Sequence, residues 1–123
     1  MSSLKIPVPF ARVAVIGTGL IGGSFALALR KHFPEITVVG FDRPEVAERA
    51  LKRGAVQAIA GDLASAVRDA DLVYIALPIA GILEVLPTVA ANAKPGTLVT
   101  DAGSTKWVSG PVEGRKRLAG SSA

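Results

Sequence analysis

The sequence contains no cysteine, which excludes disulfides and thiolate metal sites and fits a cytoplasmic protein. Histidine occurs once, as His32, and aromatic residues make up only 5% of the chain. Half of the residues are hydrophobic, yet no uninterrupted apolar run approaches the ~20 residues of a membrane span. Met1 to Pro9 carries one lysine and no long apolar stretch, so it does not read as a signal peptide. The net charge of +4 is uneven, with Lys106, Arg115, Lys116 and Arg117 set against Glu113 alone near the C-terminus. A basic tail can contact nucleic acid. Here no motif or aromatic interleaving accompanies it, and a solvated chain end is the plainer reading. Neither nucleic acid, nor a membrane, nor a metal is expected as a partner. At 123 residues the chain can bury one core and no more.

What the chain does have is Val13-Ala14-Val15-Ile16-Gly17-Thr18-Gly19-Leu20-Ile21-Gly22. The apolar run Val13 to Ile16 predicts a strand buried on both faces, stopping at a glycine. Leu20 to Leu29 then carries helical apolar spacing. Gly17-x-Gly19-x-x-Gly22 therefore sits at a strand-to-helix turn, the context in which this spacing means dinucleotide binding. Gly17 permits the tight turn, Gly19 lets backbone approach a pyrophosphate, and Gly22 allows close helix packing. The helix N-terminus, with Leu20 and Ile21 in its first turn, offers unpaired N–H groups and a positive dipole end to the phosphates. Thr37 to Phe41 predicts a second strand, and Asp42 follows it twenty residues after Gly22. That spacing suits a carboxylate meeting the adenosine ribose hydroxyls and favours NAD over NADP. Arg43 beside it could pair with a 2′-phosphate and partly offset that preference.

Strands and helices alternate along the rest of the chain. Pro44 to Arg53 predicts a helix, with Val46, Ala47, Ala50 and Leu51 on one face and the i,i+4 pairs Glu45/Arg49 and Glu48/Lys52 outside. Gly54 suits its C′ position. A short strand is expected around Val56 to Ala60, then a brief helix capped by Asp62 and carrying Leu63, Ala66 and Val67. Leu72 to Leu77 predicts a buried strand ended by Pro78. Ile82, Leu83, Leu86, Val89 and Ala90 mark helical turns, with Pro87 beginning a second piece or a kink. Lys94-Pro95-Gly96 suits a type II turn, and Thr97 to Thr100 is the fifth strand. This alternation predicts a three-layer α/β fold, a Rossmann-type doubly wound parallel sheet in the order 3-2-1-4-5.

In such a sheet, ligands bind outside the carboxyl edge of the strands. Leu77 and Pro78 can wall a nicotinamide there, although proline also simply terminates strands. Gly103-Ser104 places a hydroxyl and backbone N–H groups at the start of a further helix. On position alone, Ser104 serves equally well as an N-cap or as a ligand contact. His32 lies ten positions after Gly22, roughly 15 Å away at ~1.5 Å rise per residue. That exceeds the hydrogen-bond reach a general base needs.

Val15 to Ser24, Gly40-Phe41-Asp42, Ala70-Asp71-Leu72-Val73, Leu77-Pro78 and Thr100 to Lys106 together resemble the nucleotide-binding domain of prephenate and arogenate dehydrogenases. The resemblance runs from about Arg12 to Lys106. It implies NAD or NADP as cofactor and oxidative decarboxylation of prephenate or arogenate on the tyrosine pathway. It also implies a role for Ser104 at the junction of nicotinamide and substrate, where the family's serine assists binding of the ring hydroxyl.

After Lys106 the sequence departs from that pattern. Similar full-length enzymes continue into a strand bearing a His-Pro-Met segment and then a helical domain for substrate and dimerisation. Residues 107–123 carry Gly110, Pro111 and Gly114, which disfavour a regular helix, and no His-Pro-Met. The expectation is one nucleotide-binding domain over residues 1–123, with the helical domain absent. Three functions fit: a dehydrogenase completed by a part outside this chain, a stand-alone nucleotide-binding module, or an inactive truncated remnant. Prephenate or arogenate is a partner only in the first. The fifth strand would lie at a sheet edge, and with the Ile82, Leu83, Leu86 and Val89 face it favours a homodimer. Trp107 and Val108 folding over that edge would instead leave a monomer.

Overall fold

The computed structural model describes residues 10–102. Five parallel strands and four helices alternate: β1 (Arg12–Ile16), α1 (Leu20–His32), β2 (Thr37–Phe41), α2 (Pro44–Lys52), β3 (Ala58–Ile59), α3 (Leu63–Arg68), β4 (Leu72–Ile75), α4 (Ile79–Asn92) and β5 (Leu98–Asp101). The sheet order is β3-β2-β1-β4-β5, as the alternation of elements predicts. Val15 lies opposite Gly40 and Tyr74, and Tyr74 opposite Thr100, so the strands end together at one edge. Each crossover carries a helix across a face, which leaves the central strands dry and explains their β-branched composition.

Successive side chains of a strand point to opposite faces, and the two cores follow from that rule. Val13, Val15, Val38 and Leu72 pack with Ala26, Ala50, Ala55 and Val56 on the side of α1 and α2. Ala14, Ile16, Val73 and Ile75 pack with Ala66, Val67, Ile82 and Val89 on the side of α3 and α4. On the first side Phe25 stacks on Tyr74, with ring centroids 3.9 Å apart, joining α1 to β4.

The turns follow their local chemistry. Asp62 Oδ1 accepts from the Ser65 N–H at 2.7 Å, capping α3. Gly54 (φ +79°) follows the end of α2, and Gly96 (φ +90°) follows Pro95. The Thr97 N–H donates to the Lys94 carbonyl at 3.1 Å, closing the expected turn. At the edge opposite the strand ends, Asp71 Oδ2 accepts from the N–H groups of Ala11 (2.8 Å) and Arg12 (2.9 Å). Its Oδ1 meets Lys94 Nζ at 2.8 Å. One carboxylate thus ties together the starts of β1 and β4 and the turn before β5. The Lys94 ammonium and these two N–H groups hold it at about 2, below its ordinary 3.8.

Several boundaries differ from the sequence expectation. The third strand is only Ala58–Ile59, because Gln57 Oε1 takes the Val38 N–H at 2.6 Å where a strand carbonyl would otherwise stand. The fourth strand stops at Ile75 rather than Leu77, since Ala76 and Leu77 bend over Gly17. The first helix, by contrast, ends at His32, exposed at the helix end as expected. Pro87 sits inside an unbroken α4 and starts no second piece. On the helix face expected to lose some of its cover beside the fifth strand, Ile82 and Val89 are buried, Leu86 is half-buried and Leu83 is 58% exposed. The fifth strand is an edge, with Leu98 52% exposed.

Candidate functional site

The ends of β1, β2, β4 and β5 meet at one edge through a continuous set of backbone bonds. The Gly17 N–H donates to the Phe41 carbonyl (2.8 Å), the Ala76 N–H to Ile16 (2.7 Å), and the Ala102 N–H to Ile75 (2.9 Å). Gly17 turns at φ +92°, a conformation that L side chains rarely adopt. A Cβ on it would stand 2.5 Å from the Ala76 carbonyl oxygen and 2.9 Å from Leu77 Cδ2. This places Leu77 directly against the glycine loop. A Cβ on Gly22 would stand 1.8 Å from the Gly17 carbonyl oxygen. Gly22 is therefore required by the loop backbone itself, more than by the helix-on-strand packing expected from the spacing. Gly19 is different: a Cβ there meets nothing within 4 Å. Among the described residues no atom demands a glycine at that position, and the open space above it is what a pyrophosphate would need.

Gly19 is the N-cap of α1 and offers no side chain to the helix terminus. The N–H groups of the first turn have no intrahelical acceptors, and no acidic side chain lies in that turn. The result is a helix end primed for an anion. Leu20, 81% exposed, and Ile21 flank it.

Asp42, half-buried at the end of β2, holds the loop from the side. Its Oδ2 accepts from the Thr18 N–H at 2.7 Å and from the Thr18 hydroxyl at 3.4 Å. Its Oδ1 accepts from the Arg43 N–H at 2.7 Å. A carboxylate offers about four lone-pair sites, so capacity remains for a ribose hydroxyl. The sequence reading missed the clamp on Thr18, which is the one buried polar side chain among the described residues. It also missed Gly40, where a Cβ would meet Thr18 Cγ2 at 2.8 Å. A glycine within an otherwise β-branched strand signals such a close approach and could have revealed it.

Arg43 is exposed and lies 4.0 Å from Glu45, a separation that leaves its guanidinium uncommitted. Pro78 is the exposed N-cap of α4, next to Leu77. The structure thus gathers Gly17, Thr18, Gly19, Leu20, Ile21, Gly22, Asp42, Arg43, Leu77 and Pro78 around one edge. Ser104, Trp107, Val108 and the basic tail lie outside the described residues. Among the described residues no cluster of metal-ligating side chains occurs, and no helix is long and apolar enough to cross a membrane. Asp101 ends β5 with its Oδ1 buried and without a hydrogen-bond partner among the described residues.

The fit of a dinucleotide is supported by these features: a glycine loop whose one unconstrained position is open, and a buried acceptor with no donor among the described residues. Comparison with known proteins points the same way. Over 96 residues the chain is 43% identical to a prephenate dehydrogenase of Lactococcus lactis, covering 77% of this chain and 27% of that protein. A cyclohexadienyl dehydrogenase of Zymomonas mobilis is 36% identical over 98 residues, or 79% of this chain and 33% of its own length. The chain spans about a third or less of these curated relatives. Among solved structures, an arogenate dehydrogenase of Synechocystis superposes with a TM-score of 0.68 at 31% identity, over 76% of this chain and 33% of that one. A prephenate dehydrogenase of Aquifex aeolicus, solved with hydroxyphenyl propionate and NAD+, gives 0.68 at 26% identity, over 81% and 34%. The family described as prephenate dehydrogenase, nucleotide-binding domain, matches residues 25–113. That is well over half of the sequence, and the chain belongs to this family.

Proposed function

We propose that this chain holds NAD as the cofactor-binding part of a prephenate- or arogenate-type dehydrogenase acting in tyrosine biosynthesis, a cytoplasmic setting that its lack of cysteine suits. The observation that carries the reading is the contrast within the glycine loop: Gly17 and Gly22 are demanded by neighbouring backbone, whereas Gly19 faces open space. In this reading the first-turn N–H groups of α1, with Leu20 and Ile21, receive the pyrophosphate. Thr18 shapes the loop under the hold of Asp42. Asp42 accepts from the adenosine ribose and disfavours a 2′-phosphate, which Arg43 could partly offset. Leu77 and Pro78 wall the nicotinamide, and the family resemblance assigns Ser104 a role where the ring meets substrate. When bound, NAD supplies the hydride acceptor for an oxidative decarboxylation.

Residues 1–123 alone bind the dinucleotide without turnover. The sole histidine, His32, is exposed at the C-terminal end of α1, away from the loop. Orientation of substrate against the ring, which can supply roughly 7–11 kcal/mol of a barrier, then depends on residues beyond these. The edge strand β5, with Leu98 outward, supports pairing of two copies. Titrating isotope-labelled protein with NAD+ and following amide shifts tests the assignment. Shifts should concentrate at residues 17–22, 42–43 and 77–78. Shifts confined to the opposite edge, around Asp71, would overturn it.

A further inference from the structure

Asp42, Asp62 and Asp71 each accept at least one backbone N–H. Asp101 stands apart from them. Its Oδ1 has lost essentially all contact with water, yet has no donor among the described residues. Leaving a buried carboxylate oxygen unpaired is costly, so its position in the fold matters. Asp101 lies opposite Ile75 across the β4–β5 ladder, and Ile75 lies opposite Ile16, the residue before the glycine loop. Two strand spacings, ~10 Å in all, separate it from the end of β1. Asp42 occupies the β2 side of that loop. A dinucleotide lying across the point where strand order reverses, with its adenosine toward β2, extends its other half toward β4 and β5. That half ends in nicotinamide, which carries a primary amide with two N–H donors.

We propose that Asp101 Oδ1 is a built-in acceptor for the nicotinamide carboxamide N–H2, and that its carboxylate favours the oxidised, positively charged ring over the neutral reduced one. This rests on the reading of the chain as an NAD-binding domain. Asp101 is thereby a residue that sets which redox form of the cofactor the domain retains. Its charge is felt locally: burial first, and Asp101 second, push the Tyr74 phenol above its ordinary range. A neutral hydrogen-bond acceptor at this position would hold the amide but would not discriminate between the two ring charges.

The test uses the full chain and three probes: NAD+, NADH and ADP-ribose, which lacks nicotinamide. The wild-type protein should bind NAD+ more tightly than NADH. In Asp101→Asn the ratio of these affinities should fall on the order of tenfold, the size expected for charges within ~10 Å at an effective dielectric of ~20. ADP-ribose affinity should stay unchanged. Equal loss of all three ligands would mark Asp101 as structural and overturn the proposal. So would an unchanged ratio with ADP-ribose binding intact, which leaves the NAD reading standing. Failure of the wild-type chain to bind any of the three would overturn both. If Asp101→Asn does not fold, the wild-type comparison decides: equal NAD+ and NADH affinities refute the proposal.

Discussion

Gly19→Val puts a branched side chain where a Cβ meets no atom of the described residues within 4 Å. The backbone there has φ −73° and ψ −145°, so no left-handed strain opposes the change, and the ψ, just past the β region, adds only a modest cost for a branched residue. Losing a glycine N-cap for an apolar residue costs up to ~1 kcal/mol. Reduced freedom of the unfolded chain returns about 0.4–1 kcal/mol. The melting temperature should therefore stay within about 5 °C of wild type. Nucleotide binding should be abolished, because the side chain fills the space a pyrophosphate would occupy. Gly22→Ala is the opposite case. Its Cβ would stand 1.8 Å from the Gly17 carbonyl oxygen, so the loop must move. A cost of about 3 kcal/mol or more should lower the melting temperature by roughly 12 °C or more. Thermal melting by circular dichroism, paired with equilibrium dialysis against NAD+, reads both quantities. Unfolding by Gly19→Val would show that this glycine is structural after all. A folded Gly19→Val that binds NAD+ like wild type would refute the placement of the pyrophosphate.

Asp71 sits at about 2, below its ordinary 3.8, so the stability it contributes is present above pH ~4 and is lost as pH falls toward ~2. Asp71→Asn should melt lower than wild type at neutral pH and lose less stability over that acid window, as a pH series of melts would show. Asp42→Ala removes the acceptor for the Thr18 and Arg43 N–H groups. It should cost about 1–3 kcal/mol in denaturant unfolding and shift cofactor preference toward NADP. Ile75→Ala, emptying a fully buried site beneath α3 and α4, should cost about 2–5 kcal/mol by the same unfolding measurement. Light scattering should find a homodimer, and a 12.6 kDa species at high concentration would contradict β5 pairing.

The sheet order was legible because each strand is an apolar run ended by glycine, aspartate or proline, and alternation with helices leaves few topologies. The caps and turns at Asp62, Gly54 and Gly96 were legible because local chemistry decides them. The short third strand was not, since it depends on Gln57 reaching Val38 in the neighbouring strand. The path of α4 through Pro87 is set by packing of Ile82 and Val89, which overrides the proline signal. At the site, the glycine spacing and Asp42 stand out in the sequence. The grip of Asp42 on Thr18, and the burial of Asp101 Oδ1 without a partner among the described residues, are tertiary facts that spacing cannot carry.

Calorimetric titration of the chain with NAD+ and NADP+ tests the central claim most directly. A saturable one-to-one isotherm for NAD+, tighter than that for NADP+, is the predicted result. Absence of saturable NAD+ binding would contradict the nucleotide site, and NADP+ binding as tight or tighter would contradict the role given to Asp42.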